Sequence, residues 1–478
     1  MATEDEARAA VARLSRELQD RRPHIERRID YFKGREGRLR FASDEFRDYF
    51  KKRFEGFSDN WCMPVAQSPA ERMNPLGIRL EAESRRADLD LQRVWLASDA
   101  DRDASEAFQV FVVAARAFAL VAPNPRDATT PRITFEHPAQ AIVEYDPATR
   151  ESRYGMTVWT DDKWDYATLY TRREVWKYQR QTGLDRDPAR PDRPTPLSVD
   201  WVPREVQGET WPAPNPLGAV PLVELRNQSL LDDEPMSDIG GVMAMQDSIN
   251  LVWAYLLNAL DYASLPQRVV LKSDVPKVPI LDETGNVVGS RPVELDELLR
   301  ERIMFLPGKD ATIGEWTAAQ LDSYSRVIEQ AVEHIAAQTR TPPHYLVAKL
   351  VNTSAESLTV AEAGLVSKTL ERITYVNPAL RQVYRLVALA QGDDAKARAA
   401  AAGEIMWRDV QYRSEAQRAD ALAKKKAIGY PLEYLLELDG VPPWDIPRIL
   451  EMARRERTDP TMERIARDLS GSGAPGGR

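Results

Sequence analysis

Four histidines, one cysteine and a few acidic pairs are the residues of this 478-residue chain that could do metal or acid–base chemistry. His24, His137, His334 and His344 lie far apart, and none has a second His or Cys at helical or C-x-x-C spacing, so no zinc-type ligand set is written in the sequence. His344, in the run TPPHYL, is read as a packed or hydrogen-bonded side chain. A phosphate-cradling loop needs G-x-x-x-x-G-K-[ST]; Gly285 and Gly289 are followed instead by Ser290 and Arg291, in a hairpin-like turn. That excludes a P-loop ATPase. G-x-S-x-G is absent, and Ser354 fits a helix cap better than a nucleophile. Asp232-Asp233 and Asp393-Asp394 border loops as solvated turn residues. Asp161, Asp162 and Asp165 are the carboxylates from which an enzymatic reading would have to be built. Trp159, Trp164, Trp176 and Trp201 suit core or interface anchoring more than base stacking, and Lys424 to Lys426 suit a helix face in water. No cofactor is expected.

Composition sets the bounds. Hydrophobic residues make up 43% and charged residues 29%, the profile of a globular protein with room for two or more cores. The formal net charge of -9 argues against a surface built to grip nucleic acid, which needs Lys and Arg in excess. An acidic surface still allows DNA to slide past. The single Cys62 leaves no partner for an intrachain disulfide and points to a reducing compartment. The acidic, amphipathic start MATEDEARAAVARL is unlike a secretory signal, and the most apolar run, Val110 to Ala122, is short and contains Arg116, so no membrane role is expected.

The elements that must position these residues form an α+β chain, predominantly helical. Residues 4–22 read as an amphipathic helix, with a turn at Gly34 and Gly37. Pro64, Pro69 and Pro75 allow only short elements between Asn60 and Leu80; helical patterns follow at Asp88–Trp95 and Ala104–Val121. From Arg132 to Tyr178, short β-branched and aromatic runs broken at Asp146-Pro147 and Asp161-Asp162 predict a small antiparallel sheet. Residues 185–221 read as connector, with a short strand near Val220–Leu225. Ser237 is expected to cap a helix that runs to Pro266. A compact mixed module follows from Gln267 to Trp316, with a strand at QRVVL, a turn at DETGN, a short helix at Leu295–Arg302 and a strand at IMFLPG. Beyond Gly392 come an Ala-rich segment, helices at Arg408–Ile428, Pro431–Asp439 and Pro447–Arg457, and a tail expected to be disordered.

The stretch Thr317–Gly392 organises the rest. Thr317 with Gln320 forms a capping-box pattern; Leu321, Tyr324, Ile328, Ala331, Val332 and Ile335 then draw one apolar stripe. The opposite face carries Asp322, Arg326, Glu329 and Glu333. Pro342 and Pro343 break the helix, Thr353 with Glu356 opens a second, and Pro378 is expected to open a third. The intervening loop has Lys349 as its only charge before Glu356.

The order of these pieces resembles the portal, or head-to-tail connector, proteins of long-tailed bacteriophages, in the branch common among phages of Gram-positive and actinobacterial hosts. The blocks that carry the resemblance are YFKGREGRLRF, NWCMPVAQSPAERM, NPLGAVPLVELRN, SDIGGVMAMQDSIN leading to LPQRVV, QTRTPPHYL and NTSAESLTVAEAGLVSKTLER, spread from Tyr31 to Gln391. One departure is Ala115, where the family pattern leads one to expect a glycine before Arg116.

The resemblance implies a ring of subunits, usually a dodecamer, around a channel for the genome. It implies a wing (1–236), stem helices (237–266 and 317–340), a clip (267–316), a tunnel loop (341–355), wing or crown helices (356–395) and a crown with a disordered tail (396–478). The tunnel loop would include Thr341, Pro342, Pro343, His344, Tyr345, Lys349 and Asn352, and partner contacts on the clip would include Asp282, Glu283, Asn286 and Arg291. Implied partners are double-stranded DNA, the terminase large subunit, a head-completion adaptor, the major capsid protein and scaffold. The apolar stripe of the Thr317 helix is expected to pack on neighbouring copies, leaving Asp322, Arg326, Glu329 and Glu333 toward DNA; Lys349 either touches phosphates weakly at the narrowest point or only solubilises an exposed loop. The competing reading is a cytoplasmic helical interaction scaffold with no DNA channel.

Overall fold

The computed structural model describes the chain apart from residues 1–2, 36–38, 40–41, 54–56, 82–86, 125–126, 128–129, 188–189, 197–199, 232–233, 265–267, 272–276, 282–284, 293–302, 307–311, 316–320, 347–354, 412–414, 443 and 459–478. The helix expected at Leu295–Arg302 and the caps expected at Thr317 and Thr353 lie outside the described residues. The chain divides into two units, one of residues 1–33, 62–241 and 338–478, the other of 34–61 and 242–337.

In the first unit, the helix Glu4–Phe32 is opened by a capping box in which Glu6 N donates to Thr3 Oγ1 at 3.3 Å and Thr3 N to Glu6 Oε2 at 2.9 Å. It runs ten residues beyond the sequence expectation. Pro23 lies within it, and Ile25 packs with Ala114 and Ala139 past that point, offsetting the lost backbone hydrogen bond. Ala7, Ala10, Val11, Leu14 and Leu18 form one face at helical spacing and bury against an antiparallel meander of strands Ala141–Tyr145, Ser152–Thr160, Trp164–Tyr170 and Glu174–Asp187. The register aligns Ile142, Met156, Leu169 and Trp176 across all four strands, which gives the sheet a continuous apolar row under the helix. Truncating Leu14 to Ala at the centre of that contact would cost about 2–5 kcal/mol.

A second sheet corrects the reading of Ala104–Val121 as one helix. The helix spans Ala100–Ala114, Ala115 takes φ +71, and the strand Arg116–Ala122 runs antiparallel between Leu222–Arg226 and Arg132–Glu136. An apolar run of this length fits a buried helix or a buried strand equally by pattern, and the break shows only in the backbone.

The expected helix start at Pro378 is also corrected. A single helix, Ala355–Ala390, passes through Pro378, with Val376, Leu380, Val383, Tyr384, Leu386 and Val387 buried around it. Tyr384 stacks on Trp95 at 5.7 Å. The Ala-rich segment is the helix Asp394–Ala402, capped by Asp393, followed by a strand absent from the sequence reading, Glu404–Trp407, antiparallel to Pro75–Arg79. At Gly403 a Cβ would fall 2.8 Å from Ile78 Cδ1 and 2.9 Å from Arg79 O, so this crossing needs glycine. The helix expected at Arg408–Ile428 spans only Glu415–Ala427, and helices Leu432–Leu438 and Ile446–Thr458 follow.

In the second unit, helix Met243–Ser264 starts six residues after the expected cap. Ser237 Oγ instead donates to Val113 O at 2.6 Å, and residues 238–242 are turn. Ala254, Leu251 and Leu257 meet Phe50, Phe46, Leu39 and Ala42 from the segment containing helix Asp44–Arg53. Asp59 Oδ2 accepts from both Trp61 Nε1 at 2.9 Å and Trp253 Nε1 at 2.7 Å, tying the two segments together. Strand Arg268–Leu271 pairs in parallel with Ile303–Leu306 and antiparallel with Thr312–Glu315; Lys277–Leu281 and Val287–Pro292 form a separate hairpin. Helix Leu321–Thr339 follows.

Candidate functional site

Helix Leu321–Thr339 has two faces. Ile328, Val332, Ile335 and Ala336 are buried, whereas Asp322, Arg326, Glu329 and Glu333 are exposed. The spacing of the four exposed groups repeats at i+4 and i+3, so they form one stripe about 16 Å long at 1.5 Å per residue. Three carboxylates against one guanidinium leave the stripe net negative. Of the expected apolar stripe, Ile328, Val332 and Ile335 are buried within the single chain, whereas Leu321, Tyr324 and Ala331 are only partly buried.

The segment after this helix is fastened rather than free at its base. Arg340 adopts φ +53 and its Nη2 lies 2.9 Å from Glu371 Oε2. Thr341 and Pro342 are buried, and Thr339 Oγ1 donates to Thr341 Oγ1 at 2.9 Å. Pro343 occupies the first position of a short helix, Pro343–Leu346, where its missing amide is harmless. His344 Nε2 lies 3.9 Å from Glu362 Oε1, and the Tyr345 hydroxyl is 3.4 Å from the same oxygen. Arg72 completes the cluster: its Nη2 donates to the Tyr345 hydroxyl at 2.7 Å and lies 3.4 Å from Glu362 Oε2, while Nη1 donates to Val410 O at 2.9 Å. Sequence reasoning missed Arg72, Glu362 and Glu371 because they come from distant segments. Lys349 and Asn352 lie outside the described residues.

Of the expected clip contacts, Asn286 and Arg291 are exposed on the hairpin, and Asp282 and Glu283 lie outside the described residues. The hairpin also exposes Ile280, Val287 and Val288, which the sequence reading did not single out.

A second fastening point lies deeper in the first unit. Asp238, almost wholly buried, lies 3.1 Å from Lys368 Nζ and 2.9 Å from Arg372 Nε, and also accepts from Asn227 Nδ2 at 2.9 Å. Burial holds the Lys368 amine below the ordinary lysine range, while Asp238 pulls it back up.

Two of the acidic trio, Asp161 and Asp165, are engaged in local structure. Asp161 Oδ1 accepts from the amides of Lys163 and Trp164, and its Oδ2 from the Tyr166 hydroxyl at 2.9 Å; these bonds hold its carboxyl below the usual range. Asp165 accepts from Thr160 Oγ1 at 2.7 Å and Arg180 Nε at 2.9 Å. One aspartate shapes a hairpin turn and the other a buried ion pair, so the two are engaged separately. Trp176 and Trp201 are core residues, whereas Trp159 stacks on Tyr166 at 3.8 Å on the surface. Among the described residues no group of three His, Cys, Asp or Glu is placed to hold a metal ion, and no helix is long and apolar enough to cross a membrane.

Two layered sheets with long helices packed on them, and a separate helix with an exposed acidic stripe, define an α+β protein. The family model described as "Phage portal protein, SPP1 Gp6-like" matches residues 12–456, and the chain belongs to that family. It is 26% identical over 370 residues to the portal protein of Mycobacterium phage D29, and 26% identical over 374 residues to that of Mycobacterium phage L5. Each alignment covers 75% of this chain and 70% of the relative. The actinobacterial branch implied by the sequence blocks is thus the one its relatives come from. The family match also extends through the C-terminal helices, which those blocks did not reach. Among solved structures, a chain of the "Neck of native GTA particle computed with C12 symmetry" is similar at 13% identity with a TM-score of 0.43, covering 87% of this chain and 99% of that one.

Proposed function

We propose that the chain is the subunit of a closed ring, twelve copies round, whose channel passes double-stranded DNA at a capsid vertex during genome packaging and ejection. The observation that carries this reading is the exposed stripe of Asp322, Arg326, Glu329 and Glu333 on a helix that buries Ile328, Val332, Ile335 and Ala336 on its other side. Repeated around a ring, such a stripe presents net negative charge to phosphates, and weak adhesion lets a stiff polyanion slide. In this reading the protein hydrolyses nothing; the terminase large subunit supplies ATP turnover and docks on the clip, where a head-completion adaptor later takes its place. Asn286 and Arg291 belong to that docking surface, and so do Asp282 and Glu283. Lys349 meets phosphates at the narrowest point. Contacts with the major capsid protein and scaffold form as the ring is built into a virion in the host cytoplasm.

Native mass measurement and negative-stain imaging of the purified protein test the ring: a closed twelve-copy assembly is expected, and a monomer or dimer at micromolar concentration would instead favour an interaction scaffold. The triple variant Asp322→Lys, Glu329→Lys, Glu333→Lys tests the stripe. It should still assemble but retain duplex DNA with a steep salt dependence; unchanged DNA retention would remove the stripe from the channel.

A further inference from the structure

Three charged side chains and a glycine share one face of helix Ala355–Ala390, Gly364 being followed at helical spacing by Lys368, Glu371 and Arg372. Arg340, the residue after helix Leu321–Thr339, lies against that face: a Cβ at Gly364 would stand 3.5 Å from Arg340 Cβ. Arg340 is held there at φ +53, a backbone conformation that L side chains rarely adopt. Lys368, Arg372 and Arg340 share two carboxylates, those of Asp238 and Glu371, and the sharing is uneven. Asp238, buried, serves both Lys368 Nζ at 3.1 Å and Arg372 Nε at 2.9 Å. Glu371 Oε2 accepts from Arg340 Nη2 at 2.9 Å, and both of those side chains reach solvent. Arg372 Nη1, buried, lies 3.3 Å from the same Glu371 oxygen but out of line with it, and makes no hydrogen bond.

This arrangement commits Glu371 to a cation that water already solvates and leaves a buried N–H unmatched beside it. Exposed pairs of that kind contribute little, whereas an unmatched buried donor is costly. Turning the Glu371 carboxylate from Arg340 to Arg372 would match the buried donor, set two carboxylates against the two buried cations, and free Arg340 to leave its left-handed conformation. Only side-chain torsions have to change, because the oxygen and the nitrogen are already neighbours. We propose that Glu371 is a two-position latch on the turn Thr339–Pro342: in one position, the one in the structure, it clamps Arg340, and in the other it pairs with Arg372 and releases the turn. Ionic strength biases the latch, since salt screens the half-exposed Arg340 pair more than the buried Arg372 one. An anion that competes for the Arg340 guanidinium acts in the same direction. The latch lies wholly within the first unit and does not depend on the ring reading.

Hydrogen exchange of the full chain, followed by mass spectrometry over residues 338–342, tests the latch. Between about 50 mM and about 500 mM NaCl the parent should quicken there at least about threefold, while peptides of the meander keep their rates. Arg340→Gln should exchange at the released rate already in low salt and show no salt response. Arg372→Lys keeps a cation for Asp238 but has no Nη1 to draw Glu371 away, so its turn should stay clamped and exchange more slowly than the parent's in high salt; a Glu371 that merely braced the fold would give faster exchange. Should Arg372→Lys fail to fold, the crystal structure of Arg340→Gln decides alone, with the Glu371 carboxylate expected within hydrogen-bond distance of Arg372 Nη1. A Glu371 left in place in that variant, a parent without a salt response, or a turn in Arg372→Lys that exchanges faster than the parent's while the meander is unchanged would overturn the proposal.

Discussion

Arg72 Nη2 donates to the Tyr345 hydroxyl at 2.7 Å, joining two residues that lie 273 positions apart in the chain. That bond, with the Arg72–Glu362 pair, anchors the segment leading into residues 347–354. Removing Arg72 deletes a charge-assisted hydrogen bond and leaves Glu362 without its main partner, whereas Tyr345→Phe deletes only the hydroxyl. Arg72→Ala should cost about 1.5–3 kcal/mol and Tyr345→Phe about 1 kcal/mol. Hydrogen exchange at residues 341–346 should quicken in both, more in the first; equal protection in the parent and Arg72→Ala would show that the anchor lies elsewhere.

Asp238 neutralises two buried cations, so its loss is asymmetric. Asp238→Ala leaves Lys368 buried without its counter-charge and Arg372 with only Glu371, 3.3 Å from its Nη1, and should destabilise by about 3–5 kcal/mol. Denaturant midpoints measure this. A loss under about 1 kcal/mol would mean that water reaches the pair.

His137 is held below its ordinary value by burial, with Lys33 and Arg22 adding to the effect. Between its folded value and 6.5 the unfolded chain therefore binds more protons than the folded one, so stability rises with pH through that window and is complete above 6.5. His137→Asn, which keeps an acceptor for the amide of Ala139, should flatten the pH dependence of Tm on the acid side of 6.5. An unchanged profile would show that other groups govern it.

Ala115 sits buried at φ +71, where a Cβ costs about 1–2 kcal/mol. Ala115→Gly relieves that strain but frees the unfolded backbone and removes a buried methyl, so the net change should stay within about 1 kcal/mol. Ala115→Val puts a branched side chain into the same conformation and should cost more than about 2 kcal/mol. Thermal melts of the pair separate backbone strain from packing.

The same residue shows what the chain discloses in one dimension. The sequence blocks point to a glycine ahead of Arg116, and the left-handed backbone there is the physical reason; the alanine found in its place hides the helix-to-strand switch from any pattern of apolar residues. The meander was legible because Asp146 and Asp161 are turn-forming residues between β-branched runs, and both make the backbone hydrogen bonds that turn chemistry requires. The acidic stripe was legible too, since helical periodicity fixes which side chains share a face. Pro378 misled because local propensity places a boundary there, while burial of Val376, Leu380, Val383 and Tyr384 along one face carries the helix through it. Strand Glu404–Trp407 and residues Arg72, Glu362 and Glu371 depend on partners far along the chain, and no local spacing announces such meetings.

The pairing of Pro75–Arg79 with Glu404–Trp407 has a consequence for biosynthesis. More than three hundred residues must leave the ribosome between the two strands, about 15 to 65 s at roughly 5–20 residues per second. Throughout that interval the early strand offers an unmatched edge to whatever nascent chain is nearby, and many copies of one message would be translated side by side. Chaperone occupancy should therefore fall on the nascent polypeptide until Trp407 emerges, and a stop codon placed just before Glu404 should send the product to inclusion bodies.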